Sequence, residues 1–350
     1  MEQQRVSARR QLRVVTASGD HTARVWNAGS GHVLAKLEGH SDHVNDAAFS
    51  SDGERVVTAS DDHTARVWNA GSGQTLAKLE GHSASVWTAV FSCDGQRVVT
   101  ASRDATARVW NAATGDVLLT LKGHINYLYT AVFSPNGQQV ATAAADGTAR
   151  VWNAATGEVI ATLKGNSDVE DVAFSPDGHR VVTAADGGTA RVWNAATGEI
   201  LATMPGPHWD LYAAVFSPNG QQVATAAADG GARVWNAASG HVIADLKGHS
   251  DGVESVVFSP NGQLVLTASR DKTARVWNAA TAKALAILEG HSNFVNDAAF
   301  SPDGQRVVTA SDDKTARVWN ADTAQVLAKL EGHSDRVGKA SFSPDSHVRR

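Results

Sequence analysis

The chain has 350 residues, 42% hydrophobic and 19% charged, which suits one large globular domain or two ordinary ones and excludes a disordered tail protein. Its 31 Lys+Arg against 36 Asp+Glu leave a formal charge of -5, so neither nucleic acid nor an anionic membrane surface is expected as a partner. One cysteine, Cys93, excludes an internal disulfide framework; no run nears the roughly 20 apolar residues of a membrane span, and MEQQRVSARR lacks an apolar signal core, so a cytoplasmic location is expected.

Residues 1–12 read as an N-terminal extension. From residue 13 come three runs rich in Val, Ala and Thr, namely RVVTAS, TARVWNA and VLAKLEG, separated by Gly-containing turns. A complete unit follows over residues 44 to 81. It reads VNDAAF, the turn SSDG, RVVTAS, the turn DDH, TARVWNA, the turn GSG and TLAKLEG. Four short strands joined by tight Gly and Asp turns predict an antiparallel meander. No segment carries a helical apolar stripe of useful length, so an almost entirely β chain is expected.

The unit then recurs. ARVWNA occurs eight times and places Trp26, Trp68, Trp110, Trp152, Trp193, Trp235, Trp277 and Trp319 at spacings of 42, with one of 41. Eight phenylalanines, Phe49, Phe133 and Phe300 among them, keep the same register. A four-stranded sheet that is apolar on both faces cannot stand alone and has to stack against copies of itself. First strands begin near Val44, Val86, Leu128, Val169, Leu211, Val253, Val295 and Val337. The N-terminal part lacks its first strand, and the C-terminal VGKASF lacks the other three. Joined, they complete an eighth unit.

A Gly-His before the first strand, a Thr in the second, an Asp in the following turn and a Trp in the third appear together as His291, Thr309, Asp313 and Trp319. The set repeats as His40, Thr58, Asp62 and Trp68; as His82, Thr100, Asp104 and Trp110; as His124, Thr142, Asp146 and Trp152; and as His249, Thr267, Asp271 and Trp277. On these residues the sequence resembles the WD-repeat β-propeller family along nearly its whole length, in particular bacterial members with near-identical repeats. The resemblance implies an all-β, eight-bladed propeller of four-stranded antiparallel blades over residues 13–343, with a tail at 344–350. Its C-terminal strand would join the N-terminal three, and His333 would complete the set of Thr16, Asp20 and Trp26. It also implies that each set is a buried hydrogen-bond chain from Trp through Thr and His to Asp. Asn follows every signature Trp where the family carries Asp, a position that begins the next turn.

A set present in six copies does not read as a nucleophile, base and acid, and no unique catalytic group stands apart from the repeat. No enzyme activity, cofactor or metal is expected. His21 and His63 stand beside acidic turn residues, but no histidines show the short spacing of zinc ligands. The eight Arg of ARVW form a ring, read as packing and local pairing. Arg9, Arg10, Arg349 and Arg350 read as a solvated end near the closure. Two units depart from the pattern: Asn166 stands at the His place and Gly187 at the Asp place of the Trp193 unit, and Pro207 takes the His place of the Trp235 unit, with His208 one residue late. Drift and remodelling for a partner both account for these.

The strands agree almost letter for letter, whereas differences gather between Gly-His and the first strand and at the residue before the turn Asp. The six aromatics outside the repeat register, Trp87, Tyr127, Tyr129, Trp209, Tyr212 and Phe294, all fall in the first of these segments. In the family resembled, such positions surround the channel mouth on the top face, where partners dock. Together with Arg103 and Asp210 these aromatics are the expected partner-binding residues of a monomeric, non-catalytic scaffold for a protein or peptide. Two alternatives stand beside it: a sugar or cation bound at the channel mouth, and a recently amplified or engineered propeller with no settled partner.

Overall fold

In a computed structural model, which describes residues 11–165, 167–206 and 209–344, the chain forms eight four-stranded antiparallel sheets. The positions Arg9, Arg10, Asn166, Pro207, His208, Arg349 and Arg350 lie outside the described residues. The chain begins with β1 (Arg13–Ser18), β2 (Ala23–Asn27) and β3 (Val33–Leu37), then builds its first uninterrupted blade from β4 (Val44–Phe49), β5 (Arg55–Ser60), β6 (Ala65–Asn69) and β7 (Thr75–Leu79). Six further blades of the same order and one closing blade follow, each named below by its signature Trp. Among the described residues the only helical turn is Asp186–Gly188, where the Trp193 blade departs from the repeat.

The turns follow from side-chain chemistry. After β4, Ser50 Oγ donates to Asp52 Oδ1 at 2.5 Å, Asp52 Oδ1 accepts from Glu54 N at 2.9 Å, and Gly53 takes the left-handed conformation (φ 69°) that closes the hairpin onto β5. After β6, Asn69 Oδ1 accepts the backbone N–H groups of Gly71 and Ser72 at 3.0 and 2.9 Å. An amide oxygen therefore does what a carboxylate would do in that turn, which explains why Asn can replace the usual Asp at every repeat.

Alternation along each strand gives the blade two apolar faces. Val57, Ala59, Val67 and Leu79 of the Trp68 blade meet Val86, Ala89, Val98 and Trp110 of the next, and eight such clusters each span two neighbouring blades. The eight signature indoles lie in these seams at 0–3% exposure. Burying one such ring stabilises the seam by roughly 2–3 kcal/mol.

Closure follows the expected plan. Val337–Phe342 pairs with β1, with Val14 opposite Phe342 and Thr16 opposite Ala340, to give the order β3, β2, β1, last strand. The eight first strands touch their neighbours in an unbroken ring around the central channel. Asp46, Asp171, Asp297 and Lys339 occupy equivalent places on those strands. Lys339 sits between the other blades' carboxylates, 3.7 Å from Asp297, and its charge also acts on Asp46 and Asp171.

Candidate functional site

Each complete set of four forms one hydrogen-bond chain. Trp26 Nε1–H donates to Thr16 Oγ1 at 2.8 Å, and Thr16 stands 2.8 Å from His333 Nε2. His333 Nδ1 lies 2.8 Å from Asp20 Oδ2. Asp20 also accepts from Thr22 Oγ1 at 2.6 Å and Ser334 N at 3.0 Å. Burial alone raises the Asp20 carboxyl, but the bonds from His333 and Thr22 outweigh it and hold the group well below the usual carboxylate range. Burial pushes His333 down more than Asp20 pulls it up. A neutral ring beside an ionised acceptor fixes the proton on Nδ1, so Nε2 accepts from the threonine hydroxyl. Trp68, Trp110, Trp152, Trp277 and Trp319 head equivalent chains with links of 2.7 to 2.9 Å.

Every member of such a chain except the edge of the Asp is buried, so the set offers no nucleophile to solvent and holds strands together instead. The two divergent blades keep part of it: Trp193 and Trp235 still donate to Thr183 and Thr225 at 2.9 Å. Seven of the eight ARVW arginines lie over their own indoles, as Arg66 does at 5.8 Å from Trp68, whereas Arg233 faces Asp245 at 3.5 Å. This stacking explains the Gly of Gly-His. Gly39 has φ 148°, and a Cβ there would lie 2.5 Å from Arg66 Nη1.

The variable positions come together at one end of the ring. In every blade the backbone N–H of the residue before the turn Asp position donates to the carbonyl of the residue six before the signature Phe: Arg103 N to Ser85 O at 2.9 Å, Ala145 N to Tyr127 O at 3.0 Å and Asp312 N to Phe294 O at 3.0 Å. The variable turn and the variable loop are thus pinned to each other. Trp87, Tyr127 and Tyr129 converge, with ring centroids 5.2 to 6.0 Å apart. Arg103 lies 4.5 Å over Trp87 and 5.8 Å over Tyr127. A cavity of about 300 Å³ opens beside them, lined by Trp87, Arg103, Tyr129, Asn45, Asp61, Thr88 and Arg336.

The remaining expected rim residues stand apart from this cluster. Trp209 is 61% exposed and Phe294 39%. Tyr212 lies under Arg270 at 5.3 Å, and Arg270 Nε donates to Glu254 at 2.5 Å. Asp210 accepts from Gly187 N at 3.1 Å. Beside Tyr129, burial and the charge of Asp186 push Glu170 up to about 7. Arg270 and Glu254 stand among the variable positions of the sequence, but their pairing with Tyr212 is not readable there because they belong to the next blade, Glu254 on its first strand and Arg270 in the turn after its second. Another grouping crosses a blade boundary: His21, Asp42 and His43 bring one ligating atom each within 4.8 Å of one another. Their separation in sequence hid it.

The profile of the WD domain, G-beta repeat family matches residues 31–69, 73–111, 115–153, 157–194, 198–236, 240–278 and 282–320. The chain belongs to the WD-repeat family. Seven matches fit eight blades because the eighth WD repeat is split between the two ends of the chain, where no continuous stretch can be matched. Among solved structures, the crystal structure of the computationally designed Ika8 protein is similar at 30% identity with a TM-score of 0.79, over 88% of this chain and 93% of that one. No curated protein sequence matches this WD-repeat propeller. Among the described residues, no helix is long and apolar enough to cross a membrane.

Proposed function

We propose that this WD-repeat propeller is a monomeric, non-catalytic scaffold in a reducing compartment, binding a protein or peptide through the rim that carries Trp87, Arg103, Tyr127 and Tyr129. The observation that carries this reading is the convergence of three of the six non-repeat aromatics on one place, with an arginine stacked over them. Trp, Tyr and Arg are the residue types that anchor interfaces, since they combine large apolar area with few rotors and a polar handle. Because Arg103 already lies over Trp87 and Tyr127, the aromatic faces that a cation cage would offer are partly occupied. Trp209, Asp210, Tyr212 and Phe294 extend the rim as secondary contacts.

The test is a native-lysate pull-down with the full chain and with a variant carrying Trp87→Ala, Tyr129→Ala and Tyr212→Ala. A partner held by the wild type should be lost by the variant, a drop of roughly a hundredfold or more for three anchors, with circular dichroism and Tm unchanged. Equal retention of every partner by a folded variant overturns the reading. The engineered or recently amplified propeller is a second reading, favoured by near-identical strands and by the likeness to a designed protein. It expects no specific partner from any lysate.

A further inference from the structure

We propose that His21, Asp42 and His43 form a Zn²⁺ site that clips the blade closing the ring to the blade that follows it. His21 ends the turn after β1, and Asp42 and His43 lie in the loop leading into β4. One ligating atom from each lies within 4.8 Å of the other two, and the two imidazole centroids are 5.6 Å apart. Zn²⁺ bonds of ~2.0–2.2 Å in tetrahedral geometry place ligand atoms roughly 3.3–3.5 Å apart. His21 and Asp42 are exposed and His43 is half-buried, so side-chain rotation closes that gap without moving the backbone. Two imidazole nitrogens and one carboxylate oxygen suit Zn²⁺, whereas Mg²⁺ and Ca²⁺ take oxygen ligands. The fourth position is open to water.

The loop is held in place by groups outside the ligand set. The carbonyls of Asp42 and His43 accept from Ser60 Oγ at 3.1 Å and from Asp61 N at 2.9 Å. His43 Nδ1 faces the Asp61 carboxylate at 3.9 Å, and Asp61 is itself bonded by Asn45 Nδ2 at 2.8 Å. A carboxylate behind an imidazole orients the ring and strengthens it as a ligand, which leaves Nε2 for the metal.

The repeat supplies its own control. His63 occupies the position of His21 one blade later, with the same left-handed backbone (φ 69° against 68°), but the loop positions opposite are Ala84 and Ser85. At the closing seam the same three positions hold Lys314, Asp335 and Arg336. Among the described residues, only the junction of the Trp26 and Trp68 blades carries all three donors.

The experiment titrates ZnCl₂ into the full chain, without a histidine tag and stripped of metal, by calorimetry at about pH 7.5, where imidazole is mostly neutral. One equivalent should bind, and Tm should rise with Zn²⁺ because the ion binds only the folded form. His21→Ala and His43→Ala should each lose at least about tenfold in affinity together with the Tm rise, and Asp61→Asn should lose less. His63→Ala should keep both. No saturable binding by the wild type, affinity for Mg²⁺ equal to that for Zn²⁺, or equal binding by wild type and His21→Ala overturns the site. So does equal weakening by His21→Ala and His63→Ala. His21 and His63 are exposed and His43 and Asp61 half-buried, and circular dichroism checks that each variant is folded.

Discussion

The threonine hydroxyl is the hinge of each hydrogen-bond chain, since it accepts from an indole and donates to an imidazole in the same buried space. Thr309→Val keeps the shape and leaves both Trp319 Nε1 and His291 Nε2 without a partner. With roughly 1–3 kcal/mol for each stranded group, a loss of about 2–4 kcal/mol is expected by denaturant unfolding. Thr183→Val is the matched comparison. Among the described residues Thr183 serves only Trp193, so the loss there should be about half as large. Equal losses would mean that the histidine link adds nothing. These sets were legible in the sequence through its resemblance to the WD-repeat family, and the hairpin register then puts Thr and Trp, ten apart, on paired strands. The meeting of His21 with His43 was not legible, because it joins loops of neighbouring blades whose distance only packing decides, and neither was the stacking of Arg103 on Trp87, which depends on how two side chains of one blade turn toward each other.

Among elements, the last strand has the largest consequence. Val337–Phe342 covers the hydrogen-bonding edge of β1, and His333 before it supplies the ring bonded to Thr16 and Asp20. Deleting residues 333–350 therefore opens a strand edge, empties one seam of Val337 and Ala340, and takes the imidazole partner from Thr16 and Asp20. The expected outcome is a fall in apparent Tm on the order of 10 °C or more, with association visible by size-exclusion chromatography. A truncated chain as monomeric and heat-resistant as the full one would rule out closure as a stabilising device. The strand was readable because three runs at one end and one at the other are complementary parts of a counted unit. The turn at Asp186–Gly188 was not, since losing one residue before the Trp193 blade changes its local geometry in a way that pattern cannot specify.

At the scale of the ring, repetition multiplies small electrostatic effects. The rings of His40, His82, His124, His249, His291 and His333 are all buried with their pKa values lowered, so the folded chain excludes protons that the unfolded chain takes up. A lowered imidazole contributes stability that is present above its unfolded value of about 6.5 and is lost as pH falls below it. Each excluded proton steepens the loss by up to about 1.4 kcal/mol per pH unit. Asp46, Glu170, Asp171, Asp186 and Glu254 are raised and act in the opposite sense, but six rings outnumber five carboxyls. Apparent Tm measured with a chelator present should therefore fall from pH ~7.5 to ~5.5, and fall again below about 3.8 as the lowered Asp20, Asp62, Asp104 and Asp313 begin to protonate in the unfolded chain. A flat profile over the first interval would mean the rings accept protons while folded. The number of blades was legible from counting strands, yet near-identical strands raise a difficulty that counting does not address: nothing in the backbone tells β1 which first strand to accept. Lys339 answers it. A ring shut one blade early, with Val295–Phe300 on β1, would set Asp297 beside Asp46 with no cation between them, two like charges in a narrow channel. The lone lysine of that inner ring thus works as a counting mark, making the eighth strand the one that fits.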